Sequence, residues 1–371
     1  MKIKSIETIA VEVKLPKTFG GSKYKVDKRC TIITRMTTEC GLKSEIYNGD
    51  NRVHAKEIMD VINEELAPVV IGEDIFEAQR IWEKMMPVST LHKENFKLAM
   101  EAIACVDCAV WDLRGKALGK NVSALLGGYC GKMPVMGICG YYVEGKTLAD
   151  ISKEVEWIRD AAGINAVKFK VGGLSPQEDA KRVAAARKGG GDDFVIAVDA
   201  NRGWNAFEAI QFAHLVEPLN IRWFEEPFHW YDDLYGMARV RSKINIPVNA
   251  GQSEISGHGV RRLLTAGSVD IVNFDASEGG GITEWQRAAA MCAMHGVQMA
   301  HHEEPQIAMQ MLSSIPHGTF VECFPDPDRD PVWEKMIANR PKITDGIIEV
   351  PAGPGFGLEL DWDFVKKYRV N

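Results

Sequence analysis

The sequence predicts an α/β fold whose larger part is a (β/α)₈-type barrel of eight parallel strands. Three observations lead to this prediction. After Pro134, eight short β-rich runs alternate with helical segments, the helices carry start and stop signals, and a polar residue ends almost every run. A doubly wound open sheet is the competing architecture. It would need a G-x-G-x-x-G motif after its first strand, and the segment Gly137–Tyr142 lacks that motif.

The first third of the chain has a different pattern, in which strands come before helices. Polar and apolar residues alternate with period two from Lys2 to Lys14, which predicts a half-buried strand, and the segment 32–36 is predicted to pair with it. A long helix is predicted over Asn95–Leu118. Strands followed by helices, without alternation, indicate a separate α+β domain over residues 1–125.

The predicted barrel elements follow one another at regular intervals. The eight β-rich runs are 135–142, 165–170, 194–199, 221–226, 246–251, 269–275, 297–302 and 319–324. Helix starts are predicted where a capping residue precedes Glu or Gln by three positions, at Asp74–Glu77, Ser175–Glu178, Asn205–Glu208 and Thr283–Gln286. Polar residues end the second to eighth runs, 20 to 29 residues apart, at Lys170, Asp199, Glu225, Glu254, Asp275, His302 and Glu322. Because strand ends in a barrel open on one face, these side chains are predicted to meet at one mouth.

Three carboxylates stand at the ends of successive predicted strands. Asp199, Glu225 and Glu254 would be neighbours around the barrel with no Lys or Arg between them, and their repulsion calls for a cation. Mg²⁺ takes oxygen ligands and keeps open positions for substrate, so the pattern predicts a magnesium site. The alternative is that each acid caps a helix or pairs with a lysine.

Two further pairs of residues indicate acid–base chemistry. Lys168 and Lys170 lie two apart on one strand and so point to the same face, where each is expected to lower the basicity of the other and produce a general base. Asp275 and a histidine at the next strand end are predicted to form a second acid–base pair. Strand parity alone does not choose between His301 and His302.

Composition excludes several classes of protein. Hydrophobic residues make up 46% and charged residues 26% of the chain, with no low-complexity tract, which excludes disordered, collagenous and coiled-coil proteins. The 44 Lys and Arg against 51 Asp and Glu give a net charge of −7, and no large basic cluster occurs. Nucleic acids and anionic membranes are therefore not expected as partners.

Targeting signals and a disulfide framework are also not expected. Charged residues interrupt the apolar residues of the first 17 positions, so no signal peptide is predicted, and no later run is apolar enough for a membrane span. Eight cysteines in 371 residues are too few for a disulfide framework. We therefore expect a soluble, cytoplasmic protein with free thiols.

Motifs spread over nearly the whole chain resemble the enolase superfamily, and within it the mandelate racemase subgroup. The motifs are WDLRGKALGK (111–120), LLGG (125–128), KFK (168–170), DAN (199–201), FEEP (224–227), FDASEGGG (274–281), MAHH (299–302) and VECF (321–324). The resemblance implies a modified TIM barrel, (β/α)₇β, over residues 126–334. It also implies that residues 1–125 are an α+β capping domain completed by a C-terminal tail, about 335–371.

The resemblance also implies roles for individual residues. Asp199 and Glu225 match metal ligands, and the third ligand is assigned to Glu254 with Gln252 as a neutral alternative, since the chain reads Gly-Gln-Ser-Glu where the family usually has Gly-Glu. The remaining matches are Lys170 as base, Lys168 beside the substrate carboxylate, Asp275 and His302 as a dyad, and Asn201 and Glu322 as substrate-binding groups.

The implied activity is that of a Mg²⁺-dependent dehydratase acting on an aldonic or aldaric acid. The α-proton is removed, the ene-diolate is stabilised by the metal, and β-elimination of water gives a 2-keto-3-deoxy acid. A racemase, an epimerase or a lactone cycloisomerase would share the first step, and a catalytically silent metal-binding barrel is the alternative from another class. Relatives commonly form symmetric homo-oligomers.

A cationic segment, Lys17–Arg29, is predicted to be a mobile loop. The corresponding loops of the superfamily resemble lids over the barrel mouth. The hypothesis is that this loop closes over a second carboxylate or the hydroxyls of a sugar acid, and a solvated surface loop is the alternative.

Overall fold

The computed structural model describes residues 1–228 and 233–371. Its first domain begins with an antiparallel sheet. Its strands are β1 (Ile3–Gly20), β2 (Lys25–Thr38) and β3 (Lys43–Asn48), paired in chain order. Ile9 lies opposite Ile33, which confirms the predicted pairing of the alternating N-terminal strand with the segment 32–36. The sheet buries the apolar side chains of that alternation.

Helices follow the sheet, as the sequence predicts. They are α1 (Ala55–Asp60), a π-helical segment (Val61–Leu66), α2 (Ala67–Val70), α3 (Ala78–Met85), α4 (Pro87–Leu91), a 3₁₀ turn (Lys93–Asn95), α5 (Phe96–Leu118) and α6 (Val122–Leu125). The side chain of Asn95 caps α5 by accepting a hydrogen bond from the Leu98 N–H, and Gly119, with φ +63°, ends it. The predicted long helix is confirmed.

Eight parallel strands form the barrel. They are β4 (Lys132–Cys139), β5 (Ala166–Lys170), β6 (Val195–Asp199), β7 (Ile221–Glu225), β8 (Val248–Ala250), β9 (Ile271–Val272), β10 (Gln298–Met299) and β11 (Val321–Cys323). β4 to β10 pair in chain order, and β11 pairs with β4. A parallel bridge between Met299 and Gly318 joins β10 to the segment that enters β11, so the predicted barrel is confirmed.

Helices cover the outside of the barrel. They are α7 (Leu148–Asp160), α8 (Pro176–Gly190), α9 (Ala206–Val216), a 3₁₀ turn (Glu217–Leu219), α10 (Asp233–Arg241), α11 (Gly257–Thr265), α12 (Gly281–His295), α13 (Pro305–Leu312) and α14 (Pro331–Lys335). Reciprocal capping bonds form at Ser175–Glu178 and Asn205–Glu208, as predicted.

Two of the predicted helix starts are wrong. Thr283 lies inside α12, because its hydroxyl and its N–H both donate to the buried carboxylate of Asp107 on α5. The carboxylate of Asp74 binds the N-terminal amine at 2.7 Å, and α3 begins at Ala78 with no side-chain cap. For Thr283 a contact distant in sequence replaces the local capping bond, whereas Asp74 binds the amino terminus with one carboxylate oxygen and accepts a local hydrogen bond from the Phe76 N–H with the other.

The C-terminal tail contacts both parts of the molecule. It contains β12 (Ile343–Thr344), β13 (Ile347–Glu349) and α15 (Trp362–Tyr368). β13 pairs with β4 of the barrel, whereas the N–H of Val370 donates to the carbonyl of Ala10 in β1. The domain boundaries given above stay a prediction.

The predicted mobile loop at 17–29 is largely strand. Residues 17–20 belong to β1 and 25–29 to β2, which leaves a turn of four residues between them. Phe19 and Val26 are buried in a small apolar cluster with Tyr141, and this packing holds the tip of the hairpin against the barrel. The expectation of a loop is therefore wrong except at residues 21–24.

No helix in the described parts of the chain has both the length and the apolar character needed to cross a membrane. All eight cysteines are free thiols, and Cys40 is exposed.

Candidate active site

A cavity of about 690 Å³ opens at the carboxyl ends of the barrel strands. Of the predicted site residues, five line it, namely Lys170, Asn201, Glu254, Asp275 and His302. The first domain contributes Lys23, Tyr24 and Arg52 to the wall. The cavity therefore lies between the hairpin of the first domain and the mouth of the barrel.

Lys168 and Lys170 lie on the same face of β5, as their spacing predicts. Lys170 Nζ is 2.7 Å from Asp199 Oδ2, across the β5–β6 pairing. Lys168 Nζ is 2.7 Å from Glu225 Oε1 and 2.6 Å from Glu322 Oε1. All five side chains are buried, so three carboxylates share two ammonium groups in the floor of the barrel mouth.

Lys170 lowers the pKa of Lys168, as expected, but the expectation that this produces a less basic lysine is wrong for this arrangement. Burial lowers the pKa of Lys168, but Glu225, Glu322 and Asp199 raise it by more, and Lys170 opposes them only in part. Burial lowers the pKa of Lys170, but Asp199 together with Tyr24, Tyr141 and Glu303 raises it by more. Neighbouring carboxylates thus decide the basicity of this pair.

Asp199 and Glu225 lie opposite each other across the β6–β7 pairing. The pKa of Glu225 is raised to about 8 by burial and by the charges of Asp199 and Glu322, which together outweigh Lys168. Glu225 is a buried oxygen donor without sufficient positive charge around it, whereas Lys170, Lys168 and hydrogen bonds outweigh burial and lower the pKa of Asp199. Hard oxygen donors of this kind suit a cation such as Mg²⁺. The pair therefore fits a magnesium site.

The structure does not bring the third predicted carboxylate to this pair. The nearest charged neighbours of Glu254 are Arg262, at 3.6 Å, and Glu226, because the chain turns away after β8 at Gly251, with φ +148°. Within residues 1–228 and 233–371, no three His, Cys, Asp or Glu side chains are grouped to hold a metal. Gln252 lines the same cavity, and both assignments of the third ligand stay predictions.

The two adjacent histidines occupy different environments. His301 is fully buried, and its Nε2 accepts a hydrogen bond from the N–H of Ala276. His302 lines the cavity, with Nδ1 3.2 Å from Asp275 Oδ2 and Nε2 3.5 Å from Glu303 Oε1. Although burial lowers the pKa of His302, these two carboxylates raise it to about 9.

The two predicted substrate-binding residues lie at different depths. Asn201 lines the cavity with φ +42°, and its N–H donates to Asp199 Oδ1. Glu322 is buried below the cavity wall, where it contacts Lys168 and accepts a hydrogen bond from the N–H of Glu303. Its position lets it orient Lys168.

Glu303 and Arg329 are among the charged residues of the cavity wall that sequence reasoning missed. Glu303 directly follows His302, the predicted strand-end histidine. A carboxylate at that position could have been predicted to reach the barrel mouth. Arg329 lies in a segment without periodicity between β11 and α14, where no pattern indicated its burial.

Comparisons with known proteins agree with this architecture. Residues 5–127 match the family "Mandelate racemase / muconate lactonizing enzyme, N-terminal domain", and residues 150–364 match "Enolase C-terminal domain-like". A magnesium-bound mandelate racemase/muconate lactonizing enzyme from a marine actinobacterium is 42% identical, with a TM-score of 0.93, over 100% of this chain and 99% of its own.

Two curated relatives have known activities. The D-galactarolactone cycloisomerase of Agrobacterium fabrum is 28% identical over 100% of this chain and 99% of its own length. The L-talarate/galactarate dehydratase of Salmonella typhimurium is 27% identical over 95% of this chain and 86% of its own length. With both domains matched and the barrel mouth built as described, this chain belongs to the mandelate racemase/muconate lactonizing enzyme family of the enolase superfamily.

Proposed function

We propose that this protein is a Mg²⁺-dependent sugar-acid dehydratase that converts an aldonic or aldaric acid to a 2-keto-3-deoxy acid. The observation that carries the proposal is that Lys170 and His302, on β5 and after β10, line one cavity above the buried pair Asp199 and Glu225. Two relatives that align with nearly the whole chain are a galactarolactone cycloisomerase and a talarate/galactarate dehydratase.

Asp199 and Glu225 would hold the metal, with Glu254 as the third ligand and Gln252 as the alternative. When bound, Mg²⁺ supplies positive charge that offsets the negative charge developing on the substrate carboxyl group as the α-proton leaves. Lys168, which is buried and paired with Glu225 and Glu322, is assigned to the same carboxyl group. Asn201, at the cavity wall, provides a polar side chain for a substrate hydroxyl.

The proton transfers are assigned to the two groups of the cavity. Lys170 can take the α-proton in its neutral form once the carboxylate charge of Asp199, which raises the pKa of Lys170, is offset by the cation that Asp199 would hold. The electron pair of the broken C–H bond moves into the carbon skeleton. His302 gives its proton to the hydroxyl on the β-carbon, which leaves as water. The resulting enol tautomerises to the 2-keto-3-deoxy acid. The second ring contact of His302, with Glu303, supports this role, because a histidine held between two carboxylates is an acid rather than a base.

A lactone cycloisomerase is the second candidate. The cycloisomerase relative aligns with the whole chain, and its reaction also begins at a carbon next to a carboxyl group. It differs in releasing no water, so the product distinguishes the two activities.

The test is a panel of sugar acids and their lactones, assayed for 2-keto acid formation with and without added Mg²⁺. We expect a 2-keto-3-deoxy product that requires the metal. A product of unchanged mass formed from a lactone would favour the cycloisomerase. Absence of both product and α-proton exchange in heavy water across the panel would overturn the proposal and favour a silent metal-binding barrel.

A further inference from the structure

Arg329 is a buried cation in the cavity wall that has no carboxylate partner among the described residues. Its residue exposure is 2%, and neither Nε nor Nη1 has a hydrogen-bond partner among the described residues. No carboxylate oxygen in residues 1–228 or 233–371 lies within the 4.0 Å that defines an ion pair with its guanidinium. A buried guanidinium without a partner is costly, which points to an anionic ligand at this position.

Aromatic rings hold the guanidinium in place without neutralising it. Its carbon Cζ lies 4.1 Å from the ring centroid of Phe324 and 5.6 Å from that of Tyr141. Stacking of this kind fixes the plane of the side chain and leaves the N–H groups at its edge free to bind. The guanidinium is therefore rigid before any ligand arrives.

The carboxylates closest in electrostatic effect already have other partners. Glu303 contacts His302, and Asp50 forms ion pairs with Arg29 at 3.0 Å and Arg52 at 3.1 Å. Arg29 shows the contrast, since it is equally buried and has three close carboxylates. Of these two buried arginines, the one that lines the cavity, Arg329, is the one without a carboxylate partner among the described residues.

A second unpartnered donor lines the same cavity. Nη1 of Arg52, from the segment after β3, is buried without a hydrogen-bond partner among the described residues. Lys23, at the hairpin tip, is exposed toward the same space. Cations from three separate segments, Lys23, Arg52 and Arg329, therefore face one cavity.

We propose that Arg329 binds a second carboxylate of the substrate, so that the preferred substrate is a dicarboxylic sugar acid rather than a monocarboxylic one. The inference rests on the proposed function, which places the first carboxyl group at Lys168. Lys170 and Arg329 both lie within 6.0 Å of the Tyr141 ring centroid, so a chain of a few carbons reaches from one to the other. A guanidinium can bind a carboxylate through two parallel N–H···O bonds, and no carboxylate of the described residues lies within 4.0 Å of Arg329 to occupy it.

Binding of unreactive acids tests the subsite without turnover. Adipate carries two carboxylates and hexanoate one on the same six-carbon chain, and calorimetry with Mg²⁺ present compares their affinities. We expect adipate to bind about tenfold or more tightly, and Arg329→Gln to remove that difference while leaving hexanoate unchanged. Equal binding of both acids to the unmodified protein would overturn the inference.

Two further variants show whether a loss of adipate affinity in Arg329→Gln comes from the lost guanidinium or from misfolding. Arg329→Lys keeps the charge but loses the planar fork, and we expect an intermediate loss of adipate affinity. Arg340→Gln is the matched control, because Arg340 lies beside Trp333 and pairs with Glu334 outside the cavity. If Arg340→Gln weakens adipate as much as Arg329→Gln does, the subsite is refuted.

Turnover separates this inference from the proposed function. Galactarate and galactonate differ only in the oxidation of the terminal carbon, and we expect a kcat/KM preference for galactarate that Arg329→Gln abolishes mainly through KM. If no sugar acid reacts, the proposed function fails while the adipate measurement still decides the subsite. If galactonate reacts as well as galactarate, dehydration stands and the second-carboxylate subsite is refuted.

Discussion

Glu303 Oε1 lies 3.5 Å from His302 Nε2, on the side of the imidazole opposite Asp275. Glu303 adopts φ +46°, a left-handed conformation that is strained for a residue with a β-carbon. In this conformation the carboxylate of Glu303 lies beside the imidazole ring of His302, at the cavity wall. Lys168 is the cation that opposes both acids at this histidine.

The first prediction concerns the protonation of His302. Its pKa is raised to about 9, so the imidazole should stay protonated at neutral pH. Glu303→Gln removes one of the two carboxylates and should lower that pKa by about one unit or more. NMR titration of ¹⁵N-labelled histidine measures it, with His302→Asn to assign the signal. An unchanged pKa in Glu303→Gln would show that Asp275 alone holds the proton.

The same contact predicts how stability depends on pH. The folded pKa of about 9 lies above the ordinary value of 6.5, so protonated His302 stabilises the fold fully below pH 6.5, and this stability is lost as the pH rises toward 9. Glu225 and Glu101, with pKa values raised to about 8, change stability in the same direction in both proteins. Urea unfolding between pH 6.5 and 9 should therefore show a shallower decline for Glu303→Gln than for the unmodified protein.

The second prediction concerns the join between the two domains. Arg29 of β2 is 1% exposed and pairs with Asp50, Glu304 and Asp330. Arg29→Met would leave the buried carboxylates of Glu304 and Asp330 without this cation, while Asp50 keeps Arg52, and should lower the free energy of unfolding by ~3–5 kcal/mol.

The matched control for Arg29 is its neighbour in the chain. Lys28 pairs with Glu12 at 2.7 Å and has a side chain that is 35% exposed, so Lys28→Met should cost about 1 kcal/mol or less. Urea denaturation measures both variants. Similar losses for Arg29→Met and Lys28→Met would mean that the buried cluster contributes no more than an exposed pair.

The third prediction decides the third metal ligand. If Glu254 fills that position, Glu254→Gln should weaken Mn²⁺ binding by about tenfold or more, whereas Gln252→Leu should leave it close to normal. Electron paramagnetic resonance of free Mn²⁺ measures the affinity directly. The reverse order of effects would assign the site to Gln252, and Asp199→Asn gives the reference for loss of a ligand.

The parts of the site that could be predicted from sequence are those governed by strand geometry. Lys168 and Lys170 share a face because of the two-residue period, and Lys170 meets Asp199 because parallel strands align their carboxyl ends. The position of Glu254 depends instead on how the loop after β8 turns at Gly251, and no periodicity encodes that turn.

The balance of charge in the site could not be predicted from the sequence either, because it depends on distances between side chains from different strands. Adjacency in the chain suggested that Lys168 and Lys170 repel, yet Glu225 and Glu322 decide the pKa of Lys168 from other strands. Asp74 likewise reads as a helix cap, and the amino terminus folds back to bind it. In each case a partner distant in sequence overrides the local pattern.

The fourth prediction concerns the thiols. Cys40 is exposed, Cys130 is half-buried and the other six cysteines are buried. A hydrogen bond with Thr38 lowers the pKa of Cys40, which favours the reactive thiolate. A thiol reagent such as Ellman's should therefore react with one group rapidly, with a second slowly and with the remainder only after denaturation. Cys40→Ser should remove the rapid phase, and its persistence would contradict the assignment.

The last prediction separates the two proton-transfer groups of the proposed dehydratase. Because Glu303 and Asp275 keep His302 protonated, it should act on the departing hydroxyl and not on the α-proton. His302→Asn should therefore lower 2-keto acid formation by ~10²–10⁴ and still allow exchange of the substrate α-proton in heavy water.

Lys170→Met should abolish both exchange and product formation, since Lys170 is the group assigned to the α-proton. Lys170→Met also leaves Asp199 without its 2.7 Å partner, so Mn²⁺ binding is measured in the same variant to show that the ligand pair is intact. Mass spectrometry of deuterium uptake reads the first step, and a 2-keto acid assay reads the second. If α-proton exchange survives in Lys170→Met and disappears in His302→Asn, the roles are reversed. His302, beside Glu303, would then be the base and Lys170 the acid.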